Sequence, residues 1–238
     1  QTCELQYQPI WDCEKKKIQH IEVTVALKDD HGNLMPESFV WRSSKEMGCI
    51  AQLGPILFET MMQFVSSSHI LDQVDYVHIN MLSSHLLNGH FLSEAQMFSE
   101  QYQVPLNRLC IELKEDHSMH PEMLKRILMD LKKAGFLLLL DHYGEDVCNL
   151  QVILNMPFDI VKITRNMTDR FCNGESDMLE YQAKLLKKQG WELCLDGVDT
   201  AEKERVLRPF HADYLQGRVY GMPMSQDRLH KYLSQMQE

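Results

Sequence analysis

No apolar run in this sequence is long enough to cross a bilayer: the longest aliphatic stretches, such as residues 136–140, fall far short of the roughly 20 residues a spanning helix needs. There is no CxxC pair, and the seven cysteines are odd in number and scattered. That argues against a disulfide framework or a cysteine-based zinc site. Cys110 and Cys194, set inside apolar runs, read as buried thiols in a reducing compartment. An excess of basic residues is missing too. The chain carries 24 Lys and Arg against 34 Asp and Glu, a net charge of −10. This excludes a duplex nucleic-acid surface, which needs dense positive charge. An anionic small molecule stays compatible where a metal or a local lysine supplies positive charge. Internal repeats, low-complexity tracts and linkers are absent. The first residues show no signal-peptide pattern, so a cytoplasmic location is expected. The chain starts at Gln1 rather than Met, which suggests a piece of a longer protein.

What is present is a series of short strand-like runs. The 238 residues, 44% hydrophobic and 24% charged, suit one sizeable barrel domain over 1–238. Strands are expected near 5–10, 18–27, 76–81, 109–113, 136–141, 159–163, 192–196 and 213–216. In the second, Ile21, Val23, Val25 and Leu27 alternate with Glu22, Thr24 and Ala26, a period of two that gives the strand two distinct faces. The turn CEKKK between the first two strands is too short for a crossover helix, so that pair is expected to be an antiparallel hairpin. Helical patterns follow over 36–47, 53–65, 121–134, 179–189 and 201–207. Several carry start or stop signals: Pro36, Pro121 with Gly135, Gly190, and Thr200 with Pro209; Ser225 can cap a last helix. The alternation predicts an α/β fold, a modified TIM-like (β/α)8 barrel with an antiparallel first strand.

Each strand-like run ends in, or is interrupted by, a polar residue: Glu22, Asn80, Glu112, Asp141, Lys162, Asp196 and Gln216. A parallel barrel brings strand ends to one rim, so these residues can meet although they lie far apart in sequence. Carboxylates, an amide and a lysine together suit a hard divalent metal and a phosphate ester. Two other features are weaker. His117 and His120 in DHSMH have a spacing common in polar turns. The fifteen methionines read most simply as core or ordinary surface.

The ordered series QPI, E-V-T, N-M-L, E-L-K-E, D-H-Y-G, V-K-I, D-G-V-D-T and Q-G-x-x-x-x-x-P resembles the EAL domain family over nearly the whole chain. Those domains are TIM-like barrels that hydrolyse cyclic di-GMP to the linear dinucleotide pGpG with two divalent metals. The resemblance implies that Glu22, Asn80, Glu112 and Asp141 hold one Mg2+ or Mn2+. It places Lys162 by the attacking water and Asp196 at the proposed general base, one methylene shorter than the family's Glu. It implies substrate contacts at Gln8, Gln216 and Pro223, and a loop-positioning role for Glu115.

The departures from the pattern gather on one side. His142 stands where the family has the second Asp of a metal-binding pair, and a hydrogen-bonding rim histidine is favoured there over a replacement ligand. The second metal is weakened accordingly. Ala26 replaces an arginine, Thr164 replaces an acid, and Glu145 and Asp146 put charge in a loop that is small and glycine-rich in the family. A degenerate EAL domain is therefore expected, catalytically impaired and acting through cyclic di-GMP binding or protein interaction. An unidentified protein partner and a homodimer are both compatible with it. The alternative is an active metal-dependent cyclic di-GMP phosphodiesterase.

Overall fold

The turn at 13–16 folds β1 (Thr2–Asp12) back on β2 (Lys17–Lys28) as an antiparallel hairpin, with Gln8 opposite Glu22. The structure is a computed structural model that describes residues 2–28, 34–35, 37–86, 89–114, 120–144 and 153–236. From β2 the strands run parallel in chain order: β4 (Tyr76–Leu82), β5 (Leu109–Lys114), β6 (Leu137–Tyr143), β7 (Ile160–Ile163), β8 (Glu192–Leu195) and β9 (Tyr214–Gln216). β9 then pairs antiparallel with β1 and closes an eight-stranded barrel, while the two-residue β3 (Leu34–Met35) lies along β2. The expected fold and its antiparallel first strand are both observed.

Parallel neighbours need crossovers, and helices supply them. α1 (Glu37–Glu46) and α2 (Ile50–Ser68) precede β4, and α3 (Phe91–Tyr102) precedes β5. α4 (Pro121–Lys133) leads into β6, and α5 (Arg165–Cys172) and α6 (Met178–Lys188) lead into β8. α7 (Ala201–Leu207) precedes β9, and α8 (Gln226–Met236) follows it. α4 shows why these helices dock. Leu124, Leu128 and Leu131 lie on one stripe and are buried, while Lys132 and Lys133 favour the negative end of the helix dipole. Burying each leucine contributes roughly 1.5–3 kcal/mol. Thr200 caps α7 by accepting from the Lys203 amide at 3.2 Å. α3 and α5 were not signalled by periodicity, and α2 extends beyond the expected 53–65 at both ends. Pro36 lies outside the described residues.

The strand period of two stacks the barrel interior in layers. Gln8, Glu22, Asn80, Glu112, Asp141, Lys162, Asp196 and Gln216 form a polar layer at the C-terminal ends of the parallel strands. Two residues away on each strand lies a second layer. Ile10, Cys110, Leu139, Ile160 and Cys194 pack there as a buried cluster, and His20, His78 and Tyr214 complete the ring. This lower layer plugs the barrel and gives the polar layer a dry floor.

Candidate functional site

Lys162 is the hub of the polar layer. It is 4% exposed, and its Nζ donates to Glu22 Oε2 at 3.0 Å and to Glu112 Oε2. Burial opposes the charged ammonium, but Glu112, Glu22 and Asp141 outweigh it and hold the Lys162 pKa well above its usual value. Gln216 donates to Glu22 Oε2 at 2.6 Å, and Asn80 Nδ2 donates to Glu22 Oε1 at 2.7 Å. Burial would raise the Glu22 pKa, yet Lys162 and these two amides bring it below the usual carboxylate range. For Glu112, burial and then the Glu22 charge prevail over Lys162, and its pKa is raised. One ammonium among three carboxylates, two buried and Asp141 half-buried, leaves the layer short of positive charge.

A fourth carboxylate, which the sequence reading missed, joins them. Glu37, at the start of α1, accepts from Asn80 Nδ2 at 3.0 Å and from the Val25 amide at 3.3 Å. Burial, followed by repulsion from Glu22, pushes its pKa up to about 8. Its only sequence signal was an acid in a first helical turn, which reads equally well as a dipole partner.

The β6–β8 side is built differently. The β6–β7 register breaks between Leu140 and Tyr143, and His142 sits in that break with φ of +56°. A non-glycine residue rarely adopts this left-handed conformation. The His142 imidazole contacts the Asp141 carboxylate through Nδ1. Burial opposes ionisation of Asp141, but Lys162 and His142 together lower its pKa. Asp196 accepts from the Gly197 amide at 2.6 Å and lies 3.9 Å from Arg165, and burial raises its pKa. Arg165 also bonds Asp199, whose other oxygen accepts from the Arg218 amide at 3.0 Å. These arginines follow β7 and β9 and carry no motif that marks them. Gly217 lets the loop after β9 close: a Cβ there would meet the Val198 backbone at 2.4 Å.

The other expected site residues fall as follows. Gln8 Nε2 donates to the Gly221 carbonyl at 3.2 Å, and Pro223 is exposed beyond it. Ala26 is buried on β2 opposite Glu4. Thr164 is buried with its hydroxyl unbonded. Glu115, His117, Glu145 and Asp146 lie outside the described residues.

The donor set can be compared with a hard cation. Asn80 Oδ1 is buried and accepts no hydrogen bond, while its Nδ2 is fully engaged. An orphaned amide oxygen beside Glu22, Glu112 and Asp141 fits an oxygen-preferring ion. Among the described residues, no three carboxylate, imidazole or thiol groups already converge on a single coordination point. Lys162 bridges Glu22 and Glu112 instead. The chemistry of the set thus fits one hard ion, with an internal ammonium competing for the same carboxylates.

A closed barrel with carboxylates, an amide and a lysine at its strand ends defines a class, and comparison with known proteins gives the family. The EAL domain profile matches residues 1–223, and the chain belongs to the EAL domain family. It is 21% identical to the biofilm architecture maintenance protein MbaA of Vibrio cholerae serotype O1, over 98% of this chain and 30% of that protein. It is 24% identical to the cyclic di-GMP phosphodiesterase NbdA of Pseudomonas aeruginosa, over 97% of this chain and 30% of the relative. The chain therefore spans about a third of these curated relatives. Among solved structures, the PaMucR phosphodiesterase in complex with c-di-GMP superposes with a TM-score of 0.85 at 16% identity, covering 95% of this chain and 94% of that one. The EAL enzyme Bd1971 gives 0.89 at 18% identity, covering 97% and 64%. These structural likenesses establish the barrel. No helix among the described residues is long and apolar enough to cross a membrane.

Proposed function

We propose that this chain is a degenerate EAL signalling domain that has kept a one-cation barrel mouth and lost efficient hydrolysis of cyclic di-GMP. Glu22, Asn80, Glu112 and Asp141 would hold a single Mg2+ or Mn2+, which when bound supplies Lewis-acid charge to a phosphodiester oxygen. Lys162 holds its proton at Nζ and adds fixed positive charge to the same place. Gln216 orients Glu22, and Gln8 is anchored to the loop that carries Gly221.

The observation that carries the reading is His142. It stands where the family pattern has the second Asp of a metal-binding pair, it lies in a left-handed bend, and its Nδ1 contacts Asp141. An imidazole tied in this way, in either protonation state, supplies no anionic oxygen to a second hard cation. Asp196 supports the same reading. Its carboxylate is engaged by Gly197 and Arg165, and it is one methylene shorter than the glutamate of the family pattern. A relative named as a cyclic di-GMP phosphodiesterase and a structural neighbour in complex with c-di-GMP make that dinucleotide the first ligand to test. The domain would then act through ligand-dependent or partner-dependent signalling in the cytoplasm.

The intact Glu22–Asn80–Glu112–Asp141 set favours the second reading, an active phosphodiesterase releasing pGpG. Calorimetric titration with cyclic di-GMP, with and without Mn2+, followed by chromatography of the products, separates the two. The expected result is little or no pGpG. Brisk turnover by the unmodified protein would establish the enzyme.

A further inference from the structure

His20 and His78 stand in the plug layer, where the neighbouring members are Ile10, Cys110, Leu139, Ile160 and Cys194. Two imidazoles in such a layer are costly unless their nitrogens are paired. They are paired with each other and with the site. His20 Nδ1 lies 2.9 Å from His78 Nε2, and His78 Nδ1 lies 2.7 Å from Glu112 Oε1. His20, His78 and Glu112 are 2%, 1% and 0% exposed. Tyr76 and Tyr214 pack against the His20 ring with centroids at 5.0 and 4.6 Å, which limits its rotation.

We propose that His20 and His78 are positioning residues that fix the Glu112 carboxylate from beneath the barrel mouth. In the ionised state that pairs with the Lys162 ammonium, Glu112 is acceptor-only, so the His78 nitrogen facing it carries a proton and donates. With Oε1 bound by His78 and Oε2 by Lys162, Glu112 is tied at both oxygens. A residue that holds a ligating carboxylate in this manner tunes metal affinity without touching the metal, and its loss commonly costs roughly 10- to 100-fold. His20 acts one step further back by fixing the His78 ring. The effect on cation binding rests on the one-cation reading above. The arrangement of the pair does not.

The test has two arms. In metal-free protein labelled with 15N-histidine, NMR should find a slowly exchanging proton on His78 Nδ1. A His78 Nδ1 without that proton overturns the proposal, whatever the metal does. In the second arm Mn2+ affinity is measured by calorimetry, with circular dichroism confirming the fold of each variant. His78→Leu should weaken Mn2+ binding roughly 10- to 100-fold. His78→Asn, whose amide NH2 replaces the Nδ1 donor, should recover most of that loss, and His20→Leu should give a smaller loss. A folded His78→Leu that binds like wild type, or His78→Asn no better than His78→Leu, overturns the proposal. A wild-type protein that shows the held proton and binds no Mn2+ sustains the positioning pair and overturns the one-cation reading instead.

Discussion

The two sides of the barrel mouth are built on opposite plans. On the β2–β4–β5 side, Glu22, Asn80 and Glu112 are buried or half-buried, bonded to one another's partners, and backed from below by His78. On the β6–β7–β8 side, His142 leans on Asp141 in a strained bend, and Asp196 and Asp199 turn to Arg165. Lys162 on β7 reaches across and bonds only to the first side among its hydrogen-bond partners. The first side is thus bonded together around Lys162, while His142, Asp196 and Asp199 on the second are engaged within that side. On the proposed reading, cation holding and hydrolysis are separable properties of this barrel, and the chain keeps the machinery for the first more fully than for the second.

The comparison breaks most visibly at Lys162. Lys162→Met keeps the aliphatic stem and removes the charge that links Glu22 to Glu112. Removing one partner of a buried ion pair costs about 3–5 kcal/mol, so urea unfolding should move by that order. Added Mn2+ should return part of the loss, because a cation that binds the folded state stabilises it. A loss under about 1 kcal/mol, typical of an exposed pair, would mean that the layer is open to water.

Glu37 sharpens the comparison with a smaller, pH-dependent effect. Its pKa is raised by burial and then by Glu22, from 4.5 to about 8. The folded state therefore binds the proton more tightly than the unfolded state does. The associated stability is fully present below about pH 4.5 and is lost as pH rises through about 8. Glu37→Gln should match wild type at pH 4.5 and melt higher than wild type at pH 9. A difference in melting temperature that stays constant across that range would contradict this account of the site's charge.

The smallest stability effect belongs to the altered side. Asp is tolerated in the left-handed region, so His142→Asp should change stability by less than about 1 kcal/mol. Combined with Asp196→Glu, it should allow some pGpG to form if the remaining scaffold is sound. The two changes act on one transition state, so their effects need not add. A double variant as inactive as wild type would assign the loss to Ala26 and the 145–146 loop.

The strands were legible because each is a short apolar run that ends in or is interrupted by a polar residue, and β2 adds a period of two. Glu22 on β2 and Asp141 on β6 were readable from sequence alone as members of one rim. The hairpin was readable because CEKKK is too short for any other connection. Glu37 was not readable: it arrives from a helix start rather than a strand, and only tertiary packing turns it toward Asn80. His20 and His78 escaped for a related reason. Each sits two residues before a site residue on the inward face, where periodicity leads one to expect an apolar side chain. Their hydrogen bonds join strands far apart in sequence, and no local pattern encodes such a pairing. α3 and α5 were missed because their apolar faces are short, Phe91, Ala95 and Phe98 in one and the single buried Thr168 in the other.

The central claim is that Glu22, Asn80, Glu112 and Asp141 take one hard cation and that His142 does not supply a second site. Counting Mn2+ bound per chain tests it most directly, by titration followed by electron paramagnetic resonance of free and bound metal. One Mn2+ per chain, abolished by Glu22→Gln and still one per chain with His142→Ala, is the predicted result. Two coupled Mn2+ ions per chain, one of them lost with His142→Ala, would contradict it.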